Sequence, residues 1–318
     1  MTLMSTYLVT GGAGFIGSHL AEELASRGHT VRIADSLATG NRRNIAHIPD
    51  AEFRQGDLAD LDFARDVVAG CEYVLHQAAL PSVARSVVDP VTAHRANVDG
   101  TLNVLVASRE AGVKRVVFAG SSSVYGDAPV LPKRETMPVN PMSPYALQKA
   151  MGEQYLQLFT ALYGLSGVST RYFNVFGPRQ DPSSPYSGVI SQFATALLQN
   201  RPPTIYGDGE QTRDFTYVAN VVDGVLRACE MPDANGQVFN VATGGRISLN
   251  ELFQRMKAIV GASVEPVYTA ARLGDVRHSQ ADIGKAKEVF AYEPRVSLEE
   301  GLARTIDWYR AETPAGLG

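Results

Sequence analysis

The apolar run Tyr7-Leu8-Val9, followed at once by glycines and then by Leu20 and Leu24 at helical spacing, predicts a strand, a tight turn and a helix. Gly28 supplies the helix stop, and Thr30-Val31-Arg32-Ile33-Ala34 reads as a second strand. Strand-like runs recur at Glu52–Gln55, Tyr73–His76, Arg115–Ala119 and Gly167–Arg171, with helical patterns between them. Alternation of this kind specifies an α/β fold, a parallel sheet with helices on both faces. Several strands end in small or polar residues, namely Gly56-Asp57, Gln77-Ala78-Ala79 and Gly120-Ser121. Such sheets bind ligands at those strand ends.

Beyond Arg171 the rhythm breaks, and Gly177-Pro178, Asp181-Pro182, Ser184-Pro185 and Pro202-Pro203 punctuate a loop-rich region. It reads as the start of a smaller substrate lobe. A helix over Val218–Cys229 and a strand over Gln237–Val241 return to the first domain, so the lobes interleave. The expected division is 1–172 plus about 214–245 for one domain, and about 173–213 plus 246–318 for the other. Ser248 followed by Glu251 forms a capping box for a helix reaching Val260. Helices over Val91–Ala111 and Pro144–Leu162 carry apolar residues on more than one face, which predicts a second copy packed there as a homodimer.

The chain has 318 residues with 29 basic and 33 acidic side chains, a net charge of −4, and no basic run suited to nucleic acid. No apolar stretch reaches the about 18 residues that cross a bilayer. The first strand begins so near Met1 that no signal peptide is expected, which predicts a cytoplasmic protein without membrane attachment. Cys71 and Cys229 lie far apart with no ligating neighbours, so neither a disulfide framework nor a metal site is expected.

The segment Gly11-Gly12-Ala13-Gly14-Phe15-Ile16-Gly17 contains GxGxxG in strand–turn–helix context. Glycines there allow the tight turn and the close approach of a pyrophosphate to the helix N-terminus. Asp35 follows the second strand, 18 positions beyond Gly17, where a carboxylate accepts from a ribose 2′-hydroxyl and repels a 2′-phosphate. The expected fold is therefore a Rossmann-type doubly wound sheet, and the expected cofactor is NAD; Arg42 and Arg43 nearby work against that preference over NADP. Further on, Ser143-Pro144 opens a helix on which Tyr145 and Lys149 are four residues apart and share a face. An ammonium and a positive nicotinamide ring beside the phenol would favour its ionised form. Holding it about 3 pH units below its ordinary value amounts to about 4 kcal/mol.

Thr10 to Gly17, Asp35, Gly56-Asp57-Leu58, His76-Gln-Ala-Ala79, Asn97, Ser121-Ser122-Ser123-Val-Tyr-Gly126, Tyr145 to Lys149 and Arg171-Tyr-Phe-Asn-Val-Phe-Gly177 resemble an extended short-chain dehydrogenase/reductase. Within that superfamily the chain is most similar to the nucleotide-sugar 4-epimerases. Tyr206-Gly-Asp-Gly209, Arg213-Asp-Phe215 and the stretch from Arg272 to Asp282 extend the likeness over nearly the whole chain. The resemblance implies a cofactor site of Gly11, Gly14, Phe15, Ile16, Gly17, Asp35, Asp57, Leu58, Ala78, Ala79, Asn97, Tyr145, Lys149 and Phe173. It also implies that Tyr145 takes the proton of a sugar 4′-hydroxyl while hydride passes to NAD, with Lys149 beside it and Ser121 bonded to the reacting oxygen. The keto sugar then turns about its diphosphate and takes the hydride back on its other face.

On the substrate side the resemblance implies Arg213 and Arg272 at the diphosphate. It places Ser82, Ser122, Ser123, Asn174, Gln180, Gly188, Val189, Tyr206, Asp275 and Ser279 around the rest of a UDP-sugar. Related dehydratases and decarboxylases carry an acid just after the first Ser or Thr of the Ser121 motif, where this chain has Ser122 and Ser123. Ser279 occupies a pocket-wall position at which a small residue admits a 2-acetamido group, and the segment Arg171–Gly177 with Gln180 and Tyr186-Ser187-Gly188 is similar to epimerases of UDP-GlcNAc and UDP-GalNAc. Pro81 departs from that group, in which Gly is frequent. Acetamido substrates are therefore expected, with UDP-glucose/UDP-galactose as the alternative substrate pair. Dehydratase or decarboxylase chemistry is a second enzymatic alternative, and a non-catalytic NAD-binding regulator a third possibility that the presence of both Tyr145 and Lys149 argues against. His278 is given no role.

Overall fold

A computed structural model describes residues 4–182, 188–271 and 276–312. Seven strands form one sheet: β1 (Thr6–Thr10), β2 (Thr30–Asp35), β3 (Glu52–Gln55), β4 (Tyr73–His76), β5 (Arg115–Ser121), β6 (Gly167–Tyr172) and the strand Val238–Val241. All pair in parallel, in the order Val238–Val241, β6, β5, β4, β1, β2, β3. The order reverses between β1 and β4, and a doubly wound sheet opens its ligand crevice at such a reversal. Because every strand runs the same way, Thr10, Asp35, His76, Ser121 and Tyr172 end along one edge.

Strands β1, β4 and β5 are mostly apolar inside, as expected for a sheet covered on both faces, whereas β6 also buries Ser169, Thr170 and Arg171 and the edge strand β3 is largely exposed. One layer of core joins Leu20 and Leu24 of α1 (Phe15–Ser26) with Val9, Val117, Phe239 and Val221. The other joins Leu8, Val74, Val116 and Phe118 with Val67 of α2 (Leu61–Val68). A third cluster lies in the chain's second half. It draws Phe193 from α7 (Val189–Leu198), Phe253 from α9 (Leu249–Val260) and Ile306 from α11 (Leu298–Glu312) around Phe176 and Tyr217. Helix α8 (Val218–Glu230) and the strand Val238–Val241 return to the main sheet, and α10 (Gly284–Phe290) packs beside that strand, with Ala286 and Phe290 in the first layer. Among the described residues no helix is long and apolar enough to cross a membrane.

One local prediction gains a detail and another needs correction. The helix expected over 91–111 is found, unbroken from Pro90 to Glu110, but with a π-helical turn at Arg95–Asp99 between α4 (Pro90–His94) and α5 (Gly100–Glu110). A π-turn adds one residue to the ladder, which leaves the apolar spacing readable as an ordinary helix. The loop-rich stretch after Arg171 contains α7, whose entry at Gly188 has no side-chain cap to announce it. By contrast, α6 (Pro144–Tyr163) begins as expected, with Ser143 Oγ accepting from Ala146 N and Gly164 left-handed at its end.

Candidate functional site

The glycine turn is held by packing that only glycine allows. Gly11 has φ +64°, and a Cβ there would come within 2.8 Å of the Ala78 backbone; at Gly17 it would lie 2.2 Å from the Gly11 carbonyl. No side chain caps α1 and no acid occupies its first turn. The amides of Phe15, Ile16 and Gly17 are thus left without intrahelical acceptors, which suits an anion. Asp35, buried at the end of β2, accepts from Ala13 N at 3.0 Å and Leu37 N at 2.8 Å, while burial pushes its carboxyl pKa upward. It therefore builds the turn as well as facing the crevice mouth. Arg42 lies over the Phe53 ring and Arg43 pairs with Glu312 at 3.6 Å. The uncapped amides and the Asp35 carboxylate together fit a dinucleotide.

Across the switch point, Ala78 and Ala79 follow β4, and Asn97 sits on the π-turn, buried, its Oδ1 accepting from Leu80 N at 2.7 Å. Leu58 is buried beside this wall, and the exposed Asp57 pairs with Arg95 at 3.1 Å. Phe173, just past β6, is fully buried.

Tyr145 and Lys149 project from the first turns of α6 toward the end of β5. The Ser121 hydroxyl lies 2.9 Å from Ser123 Oγ and near enough to the Tyr145 phenol to oppose the effect of burial on it. Lys149 Nζ donates to Ala119 O at 2.8 Å and stands 6.0 Å from the centre of the Tyr145 ring. The expected lowering of the phenol is not found in the chain itself. Burial pushes Tyr145 up to about 12, with Ser121 opposing, and takes Lys149 down to about 8, with Glu153 opposing. At 6.0 Å from the ring centre, and committed to a carbonyl, the ammonium does not outweigh lost solvation. A nicotinamide cofactor held there would supply further positive charge and accept hydride, beside the Tyr145 phenol that handles the proton.

The substrate-side residues fall into groups. Asn174, at φ +33°, donates from Nδ2 to Asp214 O at 3.0 Å. Arg213 donates to Thr212 O and Arg277 O, and Ser279 N donates to Thr212 O at 3.0 Å. Asn174, Arg213 and Ser279 are thereby gathered on adjoining segments. They are fastened by the fully buried Asp214, which accepts from Thr243 N, Gly244 N and Ala281 N. Arg213 also lines a cavity of about 300 Å³ with Phe215, Arg246 and Leu298. Gln180 binds Ser191 Oγ at 2.9 Å near the start of α7, where Gly188 and Val189 lie. Ser82 caps α3 (Val83–Val88) by accepting from Arg85 N. Tyr206 ends a short strand and takes Gln211 Nε2 on its carbonyl. Ser122 is half-buried after β5. Arg272, Asp275, Tyr186 and Ser187 lie outside the described residues.

Sequence reasoning passed over a second phenol. Tyr172, opposite Ser121 in register, is close enough to Tyr145 for their charges to interact, and it bonds Gln77 Oε1 at 3.0 Å. Only the parallel pairing of β5 and β6 reveals that proximity.

Residues 7–242 match the NAD dependent epimerase/dehydratase family, and the chain belongs to it. A UDP-glucose 4-epimerase of Mycolicibacterium smegmatis is 43% identical over 308 residues, covering 95% of this chain and 98% of the relative. A UDP-N-acetylglucosamine 4-epimerase of Methanobrevibacter ruminantium, solved in complex with UDP-N-acetylmuramic acid, superposes with a TM-score of 0.93 at 39% identity over 98% of this chain and 99% of that one. A UDP-N-acetyl-alpha-D-glucosaminuronate decarboxylase of Bacillus cytotoxicus is 36% identical over 322 residues, covering 95% of this chain and 97% of the relative.

Proposed function

We propose that the chain interconverts the C4 epimers of a UDP-sugar through a transient 4-keto sugar, with NAD resident in the crevice. The observation that carries this reading is the meeting of Ser121, Tyr145 and Lys149 at the end of β5, on the same sheet edge as the glycine turn. Tyr145 Oη takes the proton of the 4′-hydroxyl and later returns it, and Ser121 orients the reacting oxygen. Lys149 supplies positive charge on the same helix. Arg213 and Arg272 would hold the diphosphate while the sugar turns, since fixed guanidinium groups suit bidentate contact with phosphate.

Acetamido sugars are the substrates we favour, because Ser279 is small and sits beside Arg213. Serines at 122 and 123 offer no carboxyl for the extra proton transfers of a dehydratase. Purified protein given UDP-GlcNAc and UDP-galactose separately should convert each to its C4 epimer, the acetamido sugar with the higher kcat/KM. No epimer from either would refute the activity, and preference for UDP-galactose would refute the substrate choice.

The lobe division given above, with 281–292 packed on the cofactor side, is our proposed domain assignment. We further propose a homodimer through α3, α4 and α6, which pack together and leave Val87, Val91, Leu158 and Leu162 exposed. Light scattering should give twice the chain mass, and Leu158→Glu with Leu162→Glu should give monomer; a monomeric wild type would refute it.

A further inference from the structure

His76, at the end of β4, is 1% exposed and has no part in the proton transfers above. Its ring lies in a row of hydrogen bonds whose directions can be deduced. Thr101 Oγ1 lies 2.7 Å from the Asn97 carbonyl, which can only accept, so the Thr101 hydroxyl donates there. Having used its one proton, Thr101 Oγ1 accepts from His76 Nε2 at 2.9 Å. Burial and the Lys149 charge push the imidazole down to about 3, so the ring is neutral and its Nδ1 carries no proton. Nδ1 therefore accepts from Thr10 Oγ1 at 2.7 Å, and Thr10 Oγ1 in turn accepts from Ala78 N at 3.2 Å.

The row begins at the Ala78 peptide, beside Gly11, and ends at the π-turn, where Asn97 Nδ2 also donates to Gln148 Oε1 at 2.8 Å. Gln148 lies on α6 between Tyr145 and Lys149. We propose that His76 is a positioning residue, fixed as the Nε2–H tautomer, that couples Thr10 at the end of β1, and through it the Ala78 peptide, to the turn carrying Asn97, so that the two sides of the switch point are set as one unit. The inference rests on the reading of Ala78 and Asn97 as cofactor contacts. A merely packed histidine would need neither a fixed tautomer nor partners at once on β1 and on the helix after the π-turn.

Long-range proton–nitrogen spectra of the wild type should show His76 as the Nε2–H tautomer throughout pH 5–9; the other tautomer, or titration within that range, overturns the proposal. In NAD titrations by calorimetry on cofactor-stripped protein, Thr10→Val and Thr101→Val should each weaken binding about fivefold, the worth of one hydrogen bond. The double variant should lose about fivefold to tenfold rather than the about 25-fold of independent effects. Thr10→Ser and Thr101→Ser, which keep the hydroxyl, should restore wild-type affinity. Independent losses, or no rescue by serine, overturn the coupling. Asn97→Ala separates the two readings: unchanged NAD affinity removes the cofactor wall and the coupling with it, whereas weakened affinity alongside independent threonine effects removes the coupling alone.

Discussion

Glu153 grips Arg171 in a bidentate ion pair, Nη2 to Oε2 at 2.7 Å and Nε to Oε1 at 3.0 Å, with both side chains 4% exposed. The carboxylate lies so close to β5 that a Cβ on Gly120 would come within 2.7 Å of it. One turn before it on α6 is Lys149. Glu153→Gln leaves the buried guanidinium without its counter-charge, a change that costs about 3–5 kcal/mol. Urea denaturation should show that loss at pH 7, and a loss below about 1 kcal/mol would contradict the role given to the pair.

Tyr145→Phe removes the only proton-accepting atom of that side chain and leaves its packing in place. Epimer formation should fall by about 10²- to 10⁴-fold, the usual worth of a positioned acid or base, with NAD retained. A rate within a factor of a few of wild type would assign the proton transfer elsewhere. Tyr172, the second buried phenol nearby, is the first alternative to test.

Acid stability follows from two imidazoles shielded from solvent. Burial pushes His76 down to about 3 and His19, which also faces the Arg179 charge, to about 4. His76 is buried and His19 half-buried; both are neutral when folded and take up a proton when unfolded, so stability rises with pH through this range and is lost as pH falls from about 6.5 toward the folded values. At pH 5 each contributes a loss of about 2 kcal/mol relative to pH 8. Equilibrium denaturation at pH 5, 6.5 and 8 checks the slope; a loss of only about 2 kcal/mol would show that one of these rings opens to solvent, and a flat profile that both do.

Gly17→Ala would place a methyl 2.2 Å from the Gly11 carbonyl, where backbone rather than a movable side chain must yield. Overpacking of this kind destabilises by about 1–3 kcal/mol. The turn would shift with it, and calorimetry should find NAD affinity reduced at least tenfold. Unchanged affinity would mean that the turn has slack the packing does not reveal.

Features that depend on neighbours in sequence were legible beforehand. The first strand, the glycine turn, Asp35 and the Ser143 cap on α6 each follow from a few adjacent side chains. Thr10 and His76 are 66 residues apart and meet only because β1 and β4 pair in register. The π-turn at Asn97 is invisible to apolar periodicity for a related reason, since its extra residue is accommodated by tertiary contacts to Leu80 and Gln148. The Tyr145–Lys149 pair was legible as geometry but not as electrostatics: spacing along a helix states nothing about burial, and burial decides where both groups titrate.

Redesign toward a phosphorylated cofactor meets an obstacle at residue 35. The carboxylate that would discriminate against a 2′-phosphate is also a strut under the peptide at residue 13, so deleting it to admit the larger ribose would slacken the pyrophosphate cradle at the same stroke. Variants would have to keep an acceptor at that site and recruit their new positive charge from the loop that carries Arg42 and Arg43.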